Sequence, residues 1–403
     1  MTQKGLINFF ENFLEKPRIF KDKRILQTNF TPESIPHREE QIKQIAQILA
    51  PCLRLEKPSN LFIYGKTGTG KTVSLHFIKN DIIKVAKEKN IPVKIFYLNC
   101  KLKKNADTEY RLIAQLIRQF GTEIPPTGLP TDEVYKIFYE LLNKEKQNII
   151  IILDEIDQLV KKTGDEILYN LTRINSDLKE SQVSIVGISN DLIFRDSLDP
   201  RVISSLSEEE IIFPPYNALQ IQDILRERSK EAFNTNAVKS GVIEKCAAYA
   251  AREHGDARRA LELLRVSAEL AERQGSMQVQ LKNIDEAEDK IDCDRVFNII
   301  KTHPKQHQAV LFSTIMLYNQ KNKSIFTGEI YDLYKKICSQ TGLRPLTQRR
   351  VSDVIAELDM LGIINANIIS KGRYGRTREI SLALPSSIEE RIKQVLAEGL
   401  ALS

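Results

Sequence analysis

The stretch Gly65-Lys66-Thr67-Gly68-Thr69-Gly70-Lys71-Thr72 leaves this chain few ways to fold. It follows the apolar run Leu61-Phe62-Ile63-Tyr64 and precedes a helical pattern, so the order is strand, glycine loop, helix. Two glycines, a lysine and a threonine at this spacing describe a loop that cradles phosphate. Gly65, Gly68 and Gly70 let the backbone curl until its N–H groups converge on phosphate oxygens. Lys71 places a point charge near the β- and γ-phosphates. The Thr72 hydroxyl is a hard oxygen ligand suited to Mg²⁺. The helix start adds its positive end. Gly68, Thr69, Gly70, Lys71, Thr72 and Val73 are therefore the expected contacts to ATP or ADP.

A second aliphatic run, Asn148 to Leu153, ends in Asp154-Glu155-Ile156-Asp157. A buried strand that delivers two acids at its carboxyl end completes a phosphate-loop site. Asp154 is expected to hold Mg²⁺ with Thr72 and to bind nucleotide. Glu155 is expected to act as general base on the attacking water. A third buried strand, Val183 to Ser189, ends in Asn190, whose amide can orient that water. Val93 to Asn99 reads as a further central strand. Alternation of these runs with helical patterns (Thr72–Lys89, Asp107–Phe120, Asp132–Glu145, Asp165–Leu178) predicts an α/β domain with a parallel sheet. Thr131 is expected to cap the third of these helices. Pro214-Pro215 ends the domain.

Asn217 to Asp292 is nearly all helical pattern. Within it, Gly255-Asp256 starts a helix whose first turn carries Arg258 and Arg259. Cations are unfavourable beside a helix N-terminus, which suggests a nearby anion. Asp292 to Pro304 reads as a linker. The last part holds helices from Gln306, Thr327 and Thr347, with Thr327 and Thr347 as caps, followed by strands Gly362–Ile364 and Glu379–Leu384 around a basic turn. Three helices and a basic hairpin describe a winged helix. Val351, Val354, Ile355, Leu358 and Leu361 form the core stripe of its third helix. Arg349 lies opposite them with Ser352 beside it, a face suited to the major groove. Lys371, Arg373, Arg376 and Arg378, with Tyr374, make the hairpin a phosphate- or minor-groove-facing element. Arg344, Gln348 and Arg350 join this candidate DNA surface.

Composition matters at a few points. The net charge of +6 over 403 residues permits nucleic-acid binding without requiring it, so the location of the basic residues carries the argument. No apolar run approaches the roughly 20 residues of a membrane span. The first residues lack a signal-peptide pattern, because Asn8, Glu11 and Asn12 interrupt Leu6, Ile7, Phe9, Phe10, Phe13 and Leu14. Those apolar residues read as a short amphipathic helix. Five scattered cysteines without a CxxC pair fit reduced thiols in a cytoplasmic, nucleoid-associated protein. His303 and His307 have no metal-site spacing.

The order of these features resembles the archaeal AAA+ replication initiators, the family of the origin recognition complex and cell division control protein six. The resemblance spans nearly the whole chain. It rests on the two phosphate-site motifs, Asn190, Asp199-Pro200-Arg201-Val202, the Gly255-Asp256-Ala257-Arg258-Arg259 stretch and the winged helix. The segments Ile35-Pro36-His37-Arg38 and Phe213-Pro214-Pro215-Tyr216 add to it. It implies an AAA+ domain (1–216), a helical lid (217–292) and a winged-helix domain (293–403). Asn190 falls at the sensor 1 position and Arg258 at sensor 2. Arg201 falls where the class places an arginine finger aimed at a neighbour's nucleotide. Ile35, His37, Arg38 and Tyr216 fall near the adenine, although Ile35 to Arg38 can equally be a structural lead-in to the helix that follows. The family implies slow ATP hydrolysis used as a switch, binding of duplex origin DNA, and recruitment of the replicative helicase, with initiator paralogues as further partners. It also implies a DNA-touching insertion, matched here by the loop bearing Gly128, Leu129 and Pro130. Two other readings fit part of the pattern: a branch-migration motor that joins AAA+ to a winged helix, and a transcriptional regulator with an ATPase module.

Overall fold

Alternate residues of a strand face opposite sides of its sheet, and here both sides are covered. In the computed structural model, strands β1 (Asn60–Tyr64), β2 (Val93–Asn99), β3 (Asn148–Asp154), β4 (Gln182–Ser189) and β5 (Glu208–Ile212) form one parallel sheet in the order β2-β3-β4-β1-β5. The residues described are 18–27, 30–101, 108–125, 128–206, 208–321, 325–370, 376–383 and 386–402. Leu61, Ile63, Ile150, Ile152, Val186 and Ile188 pack on one side with α1 (Glu39–Leu49) and α2 (Lys71–Glu88). Phe62, Ile149, Ile151, Leu153, Val183 and Ile185 pack on the other with α3 (Glu109–Gln119), α4 (Thr131–Asn143), α5 (Ile156–Thr163), α6 (Glu166–Arg173) and α7 (Pro200–Leu206). Strand β5 lies at an edge, where Glu209 and Glu210 stay exposed and discourage further pairing.

Register brings the functional ends together. Tyr64 pairs with Ser189, Asp154 with Ile188, and Asn99 with Asp154. The glycine loop, the Asp154-Glu155 pair and Asn190 therefore emerge from one end of the sheet, outside its carboxyl edge, where open α/β sheets bind ligands. The same compact unit, Met1–Asp285, also contains α8 (Ala218–Ala232), α9 (Val242–Arg252) and α10 (Ala257–Arg273). Asn217 and Gln220 close a reciprocal capping box on α8. Residues 18–27 run against these helices: Lys21 N–H donates to the Ala232 carbonyl at 2.8 Å, and Phe20 stacks on Phe233.

The second unit, Glu286–Ser403, has its own core. It contains α12 (Lys305–Lys321), α13 (Thr327–Thr341), α14 (Gln348–Met360), α15 (Ser386–Leu400) and an antiparallel sheet of β6 (Ile325–Phe326), β8 (Arg376–Leu382) and β7 (Ile364–Ser370). Val351, Val354, Ile355 and Leu358 are the buried face of α14, as their spacing predicts, whereas Leu361, expected in the same stripe, is the C-cap residue and is exposed. No helix among the described residues is long and apolar enough to cross a membrane.

Several local expectations need correction. The linker expected at Asp292–Pro304 is largely helix, the end of α11 (Leu281–Thr302). Phe297 and Ile300 are buried in the second core, which gives that stretch a packing face. The helix expected from Asp165 to Leu178 breaks at Arg173 into a 3-10 turn, Ile174–Ser176. Thr131 and Thr327 are first helical residues, with Pro130 and Phe326 at the cap positions, whereas Thr347 does cap α14. The C-terminal α15 was not expected. Ile392, Leu396 and Leu400 bury one side of it. The proposed N-terminal amphipathic helix lies outside the described residues.

Candidate nucleotide and DNA sites

The glycine loop has little freedom. Gly68 has φ +71°, and a Cβ there would meet Asp256 Oδ1 at 1.7 Å. Gly70 has φ +94°, and a Cβ there would lie 2.8 Å from the Tyr216 hydroxyl. Both positions combine a left-handed backbone with a close neighbour, so only glycine fits. Gly68→Ala is expected to cost about 1–3 kcal/mol and to push the start of α10 off the loop. Thermal unfolding with and without nucleotide measures both effects.

Lys71 is buried at the head of α2. Its ammonium donates to the carbonyls of Gly65 (2.6 Å) and Lys66 (2.7 Å) and to Oδ1 of Asn190 (2.9 Å). Burial pulls its pKa down from 10.5 to about 8, against the nearby Asp154 carboxylate that favours the charge. Thr69 is buried, and its hydroxyl closes the loop onto the Lys66 carbonyl at 2.8 Å. The Thr72 hydroxyl donates to Oδ2 of Asp154 at 3.0 Å. The same oxygen accepts the Tyr97 hydroxyl at 2.7 Å, and Oδ1 accepts the Glu155 N–H at 2.9 Å. Glu155 stands at φ +56° just before α5, with Lys101 Nζ 3.5 Å from its carboxylate. A left-handed non-glycine residue is costly, and such strain concentrates at functional positions.

These groups line a cavity of about 580 Å³, a size suited to a cofactor. Gly68, Thr69, Gly70, Lys71, Thr72, Val73, Asp154, Glu155, Asn190, Tyr216, Arg258 and Ile35 all face it. Asp256 caps α10 by accepting the N–H groups of Arg258 and Arg259. The anion suggested by two arginines in a first helical turn is thus supplied within the motif itself. Arg259 turns to Glu253 at 3.2 Å, while Arg258 faces the cavity. The Ala257 N–H donates to the Gly68 carbonyl at 3.2 Å, so the start of α10 is docked on the glycine loop.

Two residues expected near the adenine stand elsewhere. Arg38 is buried behind the loop: Nε donates to the Thr69 carbonyl (2.8 Å) and Nη2 to the Pro214 carbonyl (2.5 Å). Its guanidinium also lies 3.9 Å from the centre of the Tyr216 ring. It braces the loop against the end of the sheet domain. His37 turns to Asp223, 3.1 Å away. Arg201 sits in the first turn of α7, 82% exposed, hydrogen-bonded to Asp199 at 3.1 Å and not among the cavity-lining groups. Among the cavity residues that the sequence did not point to are Tyr97, His76, Phe30 and Arg228. Arg228 lies over the Phe30 ring at 4.8 Å. Its buried Nη1 has no hydrogen-bond partner among the described residues, which leaves a donor for a ligand. The sequence signal was faint: Ile221, Ile224 and Arg228 share one side of α8.

In the second unit, Gln348, Arg349 and Arg350 are exposed in the first turn of α14, and Arg344 is exposed just before it. Arg350 is 3.6 Å from Asp353 of the same helix. Arg378 is partly exposed on β8. Its guanidinium donates to the Ser352 carbonyl at 2.6 Å and ties β8 to α14. Arg376 opens β8 opposite Ser370. Lys371, Arg373 and Tyr374 lie outside the described residues. Gly128, Leu129 and Pro130 are exposed in the first unit, just before α4.

Residues 54–192 match the family described as AAA domain, and residues 222–289 the Cdc6 AAA+ ATPase-type lid domain. Residues 298–391 match the CDC6 C-terminal winged helix domain. The chain is 52% identical over 384 residues to the ORC1-type DNA replication protein of Pyrococcus abyssi, covering 94% of this chain and 91% of that protein. The chain belongs to the ORC1-type replication-protein family. A second relative in the family, ORC1-type DNA replication protein 1 of Methanosarcina mazei, is 50% identical over 400 residues, or 99% of this chain and 95% of that one. Among solved structures, the Aeropyrum pernix ORC1 protein in complex with DNA superposes with a TM-score of 0.84 at 43% identity, covering 95% of this chain and 98% of that chain. The Cdc6 protein of Pyrobaculum aerophilum, at 21% identity and a TM-score of 0.60, shares the fold. An ORC1-type protein is a replication initiator with an AAA+ ATPase domain, so membership sets aside both the branch-migration motor and the transcriptional regulator.

Proposed function

We propose that this ORC1-type chain binds ATP or ADP with Mg²⁺ in the cavity around Lys71, hydrolyses ATP slowly, and uses the nucleotide as a switch while bound to duplex origin DNA. The supporting observation is the cavity itself. One pocket gathers Lys71, Thr72, Asp154, Glu155, Asn190 and Arg258 from four separate stretches of chain. The Thr72 hydroxyl and the Asp154 carboxylate are hard oxygen donors 3.0 Å apart, a donor set that fits Mg²⁺. Bound there, the cation would neutralise charge on the β- and γ-phosphates. Lys71 holds phosphate, Asn190 and Glu155 orient water, and Arg258 meets the γ-phosphate. Ile35, Tyr216 and Arg228 hold the nucleoside end. Because α10 is docked on the glycine loop through Ala257, an altered loop would be felt by the helical lid. Comparing α10 positions with ADP and with a non-hydrolysable ATP analogue tests the switch; identical positions would sink it.

The DNA surface is the first turn of α14 with Arg344 and the basic hairpin. Gly128, Leu129 and Pro130 form a second contact. Arg201 acts on a neighbouring molecule's nucleotide, since it stands apart from its own cavity. The replicative helicase and initiator paralogues are the proposed protein partners, in the cytoplasm at the nucleoid. Footprinting of bound DNA across a genome tests this reading directly, because protection confined to origins is expected and scattered sites would defeat it. Arg349→Ala is expected to cost about 1–3 kcal/mol in binding and to relax preference at one base position, if it reads a base edge. Binding titrations on systematically substituted duplexes measure that change.

A further inference from the structure

The Asp154 carboxylate is held by three donors: Thr72 Oγ1 (3.0 Å) and the Tyr97 hydroxyl (2.7 Å) on Oδ2, and the Glu155 N–H (2.9 Å) on Oδ1. Two of these are local to the phosphate-site motifs. Tyr97 is not. It comes from β2, two residues before Asn99, which pairs with Asp154 in the sheet. Its ring is gripped by His76, with centroids 4.5 Å apart, and His76 lies one turn beyond Thr72 on α2. Both rings line the nucleotide cavity. We propose that Tyr97 is a positioning residue for the metal site: its hydroxyl holds Oδ2 of Asp154 toward Thr72, so that the threonine O–H stays directed at the carboxylate and its lone pairs are left to face the cation. This rests on the magnesium–nucleotide reading above. Outer groups that orient a ligand commonly control metal affinity as strongly as this.

Tyr97→Phe removes one hydroxyl and keeps the ring packed on His76. The test is Mn²⁺ binding to the full-length protein loaded with ADP, followed by electron paramagnetic resonance, alongside calorimetry of ADP without metal. The expected result is a Mn²⁺ affinity lower by about tenfold, with metal-free ADP binding unchanged and excess cation restoring occupancy. Because Tyr97 is proposed to act through Asp154, Tyr97→Phe should add little to the loss caused by Asp154→Asn. Wild-type Mn²⁺ affinity in Tyr97→Phe, or independent additive losses in the double variant, would overturn the positioning role while leaving the metal site intact. A wild-type protein that binds ADP but no Mn²⁺ would overturn the metal site, and this role with it.

Discussion

Lys71→Ala should leave a folded chain that no longer holds nucleotide. The ammonium is the one buried cation inside the glycine loop among the described residues, and it already makes three hydrogen bonds with carbonyl and amide oxygens. Phosphate oxygens are stronger acceptors, and hydrogen bonds to charged groups contribute about 1.5–3 kcal/mol each. Losing two such bonds weakens ATP or ADP binding by at least about 100-fold, read by calorimetry. Stability without nucleotide should fall modestly, because the Gly65 and Lys66 carbonyls lose their donor. The nucleotide-dependent rise in melting temperature should disappear, as binding linkage requires. A retained rise would exclude Lys71 as a phosphate ligand.

The same residue gives a pH signature with a definite sign. Folding lowers the Lys71 pKa from 10.5 to about 8. Between those values the unfolded chain holds a proton that the folded chain has released, so this group makes the ligand-free protein more stable as pH rises through that window. Phosphate reverses the effect by favouring the charged ammonium. Nucleotide binding should therefore take up a proton above pH 8, and affinity should fall there by up to about tenfold per pH unit. Calorimetry in buffers of different ionisation enthalpy separates proton uptake from binding. Lys71→Ala should abolish the dependence.

What could be read from the sequence was what is local to a short stretch. The glycine loop, the Asp154-Glu155 pair and Asn190 each end a buried strand, and parallel pairing alone brings strand ends together. The buried face of α14 followed from helical spacing. Arg38 and Tyr97 behave differently, because what they do depends on partners far along the chain. Arg38 meets Thr69 and Pro214, and Tyr97 meets Asp154. Helical or strand periodicity tells which side of an element is apolar, and says nothing of which polar group waits across the gap. Arg378 illustrates the same limit: a basic hairpin looks like a phosphate-binding surface, yet one N–H of this guanidinium is turned to the Ser352 carbonyl. The stretch taken for a linker was misread for another reason. It lies between two helical patterns, and Phe297 and Ile300 give it a packing face on the second core.

Glu155→Gln should separate binding from turnover. The side chain lines the cavity beside Asp154 and has lost most of its solvent exposure. Its backbone holds the left-handed conformation that starts α5, and glutamine can adopt it at the same cost, so the fold and the cavity should survive. What changes is the ability to accept a proton from the attacking water. Removing a positioned general base typically lowers a rate by about 10²–10⁴-fold. The expected result is ATP and ADP affinity close to wild type, with single-turnover hydrolysis slowed by that factor, followed by quench and phosphate assay. Glu155→Ala should behave alike in turnover and lose the contact with Lys101 as well. Asn190→Ala provides the contrast. Its amide holds Lys71 as well as facing the cavity, so binding and rate should fall together. Turnover preserved in Glu155→Gln would remove this residue from the base role and leave Asn190 as the group that orients the water.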